Sequence, residues 1–123
     1  MRYVLEKSFA FEAMHLLVGH DGKCARPHGH SYKLTVGVSL DRVHADGPKK
    51  NMAMDFGDIS AQVKPMIERY FDHRNLNETL GTDSPTAEYI AEWVFDYLNQ
   101  TISGLEAITI NETATSSVTI RRS

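Results

Sequence analysis

Cysteine is almost absent from this chain. A single one, Cys24, stands among 123 residues. No internal disulfide is therefore available, and a lone thiol near histidine reads as a nucleophile or base in a reducing compartment. Long apolar runs are missing too: none approaches the roughly 20 residues that cross a bilayer. The amino terminus carries no secretory hydrophobic stretch, so a cytoplasmic protein without a membrane partner is expected. Positive charge is in short supply, with 13 Lys and Arg against 16 Asp and Glu and a net charge of −3. That balance leaves no basic face to neutralise a nucleic-acid backbone. The only basic pairs, Lys49-Lys50 and Arg121-Arg122, read as solvated ends. Internal repeats and low-complexity stretches are absent. Residues 1–123 are expected to form one domain around one modest core. A core this small gains stability by oligomerising.

What the chain does have is concentrated in Cys24-Ala-Arg-Pro-His28-Gly-His30, which leads directly into an alternating strand. Residues two apart on a strand share a face. His28 and His30 therefore project together, and their parity continues through Tyr32, Leu34, Val36, Val38 and Leu40. Upstream, Tyr3, Leu5, Phe9, Phe11 and Ala13 share a parity that ends in His15. If the two strands pair antiparallel, the three imidazoles meet at one corner of the sheet. Each alone reads as a hydrogen-bonded structural histidine. Three on one periodic face read as a metal site with an open fourth position, the arrangement of catalytic zinc. His20, His44 and His73 fall outside this register.

Two long strands are predicted first, Arg2–His15 and His28–Arg42, joined by a polar loop over Leu16–Pro27. Asp46-Gly47-Pro48 marks a turn. A helix follows from about Gly57, with Ile59, Val63, Met66, Ile67 and Tyr70 on one stripe; Pro65 is expected to kink it. A second helix is predicted with Ser84 as N-cap, Pro85 in the first position and Gly104 past its end. Strands over Leu105–Glu112 and Ser117–Arg122 complete the chain. Strands grouped outside a helical pair indicate an α+β fold on a four-stranded antiparallel sheet, with two helices inserted between strands 2 and 3.

Other residues could carry chemistry. Cys24 lies beside the metal strand, where a cation or imidazolium lowers a thiol's pKa. It could instead be a fourth ligand or an ordinary half-buried cysteine; three histidines already suffice for the ion, which favours the reactive thiol. Asp72-His73 is an acid–imidazole pair suited to proton transfer, although by itself a histidine at a helix end reads as structural. Glu112 shares its parity with Ile108 and Ile110, and a carboxylate on that face is costly unless held in a site. It could grip an aminopyrimidine-like edge with two parallel hydrogen bonds, or turn to solvent at the strand end.

The order of these pieces resembles the 6-pyruvoyltetrahydropterin synthase and 6-carboxytetrahydropterin synthase family. The matching segments are Phe11-Glu-Ala-Met-His15, Cys24-x-x-x-His28-Gly-His30, Met54-Asp55-Phe56, Asp72-His73-x-x-Leu76-Asn77, Pro85-Thr86-Ala87-Glu88 and Glu112-Thr113. The resemblance implies Zn2+ on His15, His28 and His30. It implies Cys24 as the proton-abstracting thiolate, Asp72 and His73 as its relay, and Glu112 with Thr113 as the pterin anchor. It also implies the tunnelling fold closed into an oligomeric barrel, commonly a homohexamer of two stacked trimers with active sites at subunit interfaces. The three-residue gap between Cys24 and His28 resembles the bacterial enzymes of the queuosine pathway. These convert 7,8-dihydroneopterin triphosphate to 6-carboxy-5,6,7,8-tetrahydropterin, acetaldehyde and triphosphate. For the triphosphate the sequence offers only Lys23, Arg26 and Arg121-Arg122 as candidates. The competing readings are pyruvoyl formation or side-chain cleavage on the same substrate, a non-catalytic zinc-containing pterin binder, and a three-histidine zinc hydrolase.

Overall fold

A computed structural model describes residues 1–123. Two long strands, β1 (Tyr3–His15) and β2 (His28–Leu40), pair antiparallel along their full length. The alternation predicted from sequence sets their faces. Phe11, Ala13, Tyr32, Leu34, Val36 and Val38 are buried, whereas Glu12, Met14, Ser31 and Lys33 are exposed. Strands β4 (Leu105–Thr113) and β5 (Ser116–Arg121) extend the sheet beyond β2.

The core lies between this sheet and two helices. Helix α1 (Phe56–Tyr70) starts at Asp55, whose carboxylate accepts from the Gly57 N–H. It buries Ile59, Val63, Met66 and Ile67. The helix runs on through Pro65 rather than breaking there. Pro65 and Ala61 are both exposed, so the carbonyl left without a partner faces water, where its loss costs least. Helix α3 (Ala87–Leu98) buries Ile90, Ala91, Val94 and Leu98. Its N-cap is Thr86, not Ser84: the Thr86 hydroxyl accepts from the Tyr89 N–H at 3.1 Å. Pro85 therefore lies outside the helix, and its carbonyl is free for another partner.

Two features depart from the four-stranded antiparallel expectation. A two-residue strand, β3 (Arg74–Asn75), pairs parallel to Ala13 and Met14, making a mixed five-stranded sheet in the order β3-β1-β2-β4-β5. A single helical turn, α2 (Leu76–Thr79), follows at once. Both depend on a reversal after α1, where His73 adopts φ 58. That left-handed conformation is uncommon for a residue with a side chain. Gly104 serves the start of β4 rather than the end of α3. It sits at φ 78, and a side chain there would meet the Ser39 carbonyl at 2.9 Å.

Candidate metal centre

The β1–β2 register places His15 directly opposite His28, and His30 opposite Ala13. The three imidazoles gather as predicted, with one donor atom from each inside 4.8 Å of the others. Their ring centroids are 4.6 to 5.0 Å apart. His15 is only 1 % exposed, beneath the entry to α3.

Backbone carbonyls settle how these rings present themselves. His15 Nδ1 lies 2.8 Å from the Pro85 carbonyl, and His28 Nδ1 lies 2.7 Å from the Arg26 carbonyl. A carbonyl only accepts, so each Nδ1 donates its proton there and each Nε2 is the ring atom left to ligate a metal. Burial pushes the His30 pKa below its ordinary value; Glu112 opposes this, and the two neighbouring histidines reinforce it.

The Nε2 atoms of His15 and His30 are buried and have no hydrogen-bond partner. Facing them is the Glu112 carboxylate, with Oε2 3.9 Å from His15 Nε2 and Oε1 3.7 Å from His30 Nε2. An ionised carboxylate is also purely an acceptor. Lone pairs thus converge on one volume without a donor between them, an arrangement that a cation stabilises. The donor set fits a zinc-type ion.

Glu112 reaches this position through an irregularity. Asn111 pairs with Ser117 and Thr113 with Ser116, which leaves Glu112 as an extra residue in β4. Such a bulge re-aims a side chain beside a site. The carboxylate, 30 % exposed, also lines a cavity of about 250 Å3 with Thr86, Glu88, Ser116 and Ser117. Thr113 lies outside that cavity's lining; it is exposed, and its hydroxyl accepts from the Thr115 N–H at 3.4 Å.

Cys24 is a half-buried free thiol on the short 3-10 turn Lys23–Ala25, and its carbonyl accepts from the Leu17 N–H at 2.7 Å. It does not belong to the converging donor group. Asp72 and His73 lie at the open edge of β1. Asp72 Oδ1 accepts from the Glu12 N–H at 3.0 Å, and Asp72 Oδ2 lies 3.1 Å from His73 Nδ1. The Glu12 N–H, with help from His73, holds the Asp72 pKa below its usual value. The His73 side chain is 79 % exposed. With Glu12, Met14, Ser31 and His30 it lines a second cavity of about 420 Å3. Glu12, Met14 and Ser31 leave the sheet on the side opposite His15, so the pair is not brought to the metal centre from within the chain.

Several supporting groups escaped sequence reasoning. The Pro85 and Arg26 carbonyls orient two imidazoles, but backbone acceptors leave no side-chain signal. Tyr32 continues the histidine parity and lies 3.4 Å from His15 Nδ1; burial, then Glu112, drives its pKa well above the usual phenol value. Asn77 clamps Leu16, the residue after His15. Its Oδ1 accepts from the Leu16 N–H and its Nδ2 donates to the Leu16 carbonyl, both at 2.9 Å.

Comparison with known proteins gives consistent findings. The family model for 6-pyruvoyl tetrahydropterin synthase matches residues 4–123. The 6-carboxy-5,6,7,8-tetrahydropterin synthase of Synechocystis sp. is 42 % identical over 115 residues, spanning 93 % of this chain and 89 % of that protein. The enzyme of the same name from Haemophilus influenzae is 36 % identical over 135 residues, spanning 93 % and 95 % respectively. Among solved structures, Caenorhabditis elegans 6-pyruvoyl tetrahydropterin synthase superposes with a TM-score of 0.84 at 27 % identity, covering 100 % of this chain and 97 % of that one.

Proposed function

The chain belongs to the 6-pyruvoyl tetrahydropterin synthase family, and from that premise we propose that it is a zinc-dependent 6-carboxy-5,6,7,8-tetrahydropterin synthase. The substrate is 7,8-dihydroneopterin triphosphate. With one water consumed, it yields the 6-carboxy product, acetaldehyde and triphosphate. The observation that carries this reading is the donor-free convergence of His15, His28 and His30 beside Glu112.

His15, His28 and His30 would hold a zinc ion through their Nε2 atoms, and the bound ion would supply the Lewis acidity that makes a C–H beside the substrate's side-chain oxygens acidic. Cys24 is the base that takes that proton, and Asp72 with His73 returns protons as the chain is cleaved. Glu112 grips the pterin's 2-amino and N3 edge from the wall of the small cavity, where a carboxylate can accept two parallel N–H bonds. Thr113 stands beside it as a lesser contact. The exposure of Asp72 and His73, away from this chain's own histidines, favours a site completed by a neighbouring copy. Closure into a homohexamer would supply that neighbour.

Product identification tests the reading. Metal-loaded protein incubated with 7,8-dihydroneopterin triphosphate should release 6-carboxytetrahydropterin and acetaldehyde, followed by mass spectrometry. Finding 6-pyruvoyltetrahydropterin as the only stable product would move the chain to the pyruvoyl-forming branch of its family.

A further inference from the structure

The segment from Asp72 to Asn77 runs beside the last residues of β1. The His73 N–H donates to the Glu12 carbonyl at 2.6 Å, and β3 pairs Arg74 with Ala13 and Asn75 with Met14. There the backbone turns into α2 and the ladder ends. The Asn77 side chain continues it. Its Oδ1 accepts from the Leu16 N–H and its Nδ2 donates to the Leu16 carbonyl, both at 2.9 Å. Only one orientation of the amide satisfies both contacts. Its backbone is fixed as well: the Asn77 N–H donates to Asn75 Oδ1 at 3.1 Å, and the Asn77 carbonyl accepts from the Thr82 N–H at 3.2 Å.

We propose that Asn77 is a positioning residue that holds the metal ligand His15 and the thiol Cys24 in one geometry, acting through the two peptide groups of Leu16. A peptide group is planar, so fixing one end fixes the other. The Leu16 N–H shares its peptide with the His15 carbonyl. His15 is the last residue of β1 and the last to pair with β2. Without the clamp, that strand end is free to fray.

The Leu16 carbonyl shares its peptide with the Leu17 N–H, which donates to the Cys24 carbonyl at 2.7 Å. No other hydrogen bond ties the turn Lys23–Ala25 to a distant part of the chain. One amide therefore sets the position of two groups that lie on different elements. The chemical role of Cys24 rests on the function proposed above; the clamp itself does not.

Two readouts on the full chain test this apart from turnover. Zinc affinity, from competition with a chelator, reports on His15. The rate of alkylation by iodoacetamide reports on Cys24, because the chain has one cysteine. Alkylation is followed without metal, so that the two readouts stay independent. Asn77→Ala should weaken zinc binding roughly tenfold and speed alkylation roughly tenfold, the scale of one lost hydrogen bond at each end. Val63→Ala opens a cavity under α1 and lowers stability, and it should move neither readout. Should Asn77→Ala fail to fold, Asn77→Ser is read the same way, since its short hydroxyl cannot span both Leu16 groups.

Either readout unchanged in the Asn77 variant, or either moved as far by Val63→Ala, would overturn the proposal. If both respond as expected in a protein that does not turn over 7,8-dihydroneopterin triphosphate, the lyase reading falls and the clamp stands.

Discussion

The two chemically loaded regions of the molecule lie at the same end of β1 and are built in opposite ways. At the histidine corner, imidazoles are tied down by carbonyls from distant segments, and a buried face supplies the remaining contacts. At the Asp72–His73 edge, an exposed imidazole sits on a strained backbone and is held mainly by its neighbour and by Glu12. The corner is preorganised within one chain, as a metal site requires. The edge is half a device. It leaves an acid–imidazole pair exposed at the end of the sheet, with the His73 side chain 79 % exposed.

The sharpest way to break this contrast is to remove the proposed base, Cys24. Cys24→Ala should lower turnover on the order of 10²- to 10⁴-fold, the range for a positioned proton acceptor. Its zinc content, measured by elemental analysis, should remain that of the parent protein. Full activity in this variant would take the thiol out of the chemistry. A milder cut falls within the corner. Glu112→Gln removes the charge proposed to grip the pterin edge, and a loss of about 1.5–3 kcal/mol of substrate binding is expected for a charged hydrogen-bonding group. The check is KM, or the affinity of a non-reacting pterin.

Thr86→Ala probes the scaffold beneath the corner. It should cost about 1 kcal/mol through loss of the N-cap, read as a lower midpoint in urea unfolding. Metal affinity should weaken with it, because the cap lies next to the Pro85 carbonyl that holds His15.

The smallest effect is expected at the edge. Asp72 has a folded pKa below its unfolded value, so it contributes stability above the unfolded value of about 3.9. That contribution is lost as pH falls through the lower folded value. Asp72→Asn should therefore flatten the acid limb of a stability–pH curve while leaving neutral-pH metal binding intact.

Much of this was legible because it is periodic. The alternation in Tyr3–His15 and His28–Leu40 fixed which residues face the core, and with antiparallel pairing it brought three histidines together. The stripes of α1 and α3 were readable for the same reason, although the N-cap of α3 lies two residues after the predicted Ser84. Glu112 stood out as a carboxylate on an apolar parity. The reversal at His73, the parallel β3 and the turn α2 were not legible, since each follows from how one segment docks against β1 rather than from its own composition.

Local pattern alone therefore determined the four longer strands, the faces of α1 and α3, and which imidazoles could share a side, because side-chain periodicity belongs to the backbone of each element. Tertiary structure decided the rest. It set the Pro85 carbonyl against His15 across 70 residues of sequence, inserted the bulge that aims Glu112, and brought the Asn77 amide to Leu16. Those placements depend on register and docking between elements far apart in the chain, and no single element's pattern contains that information.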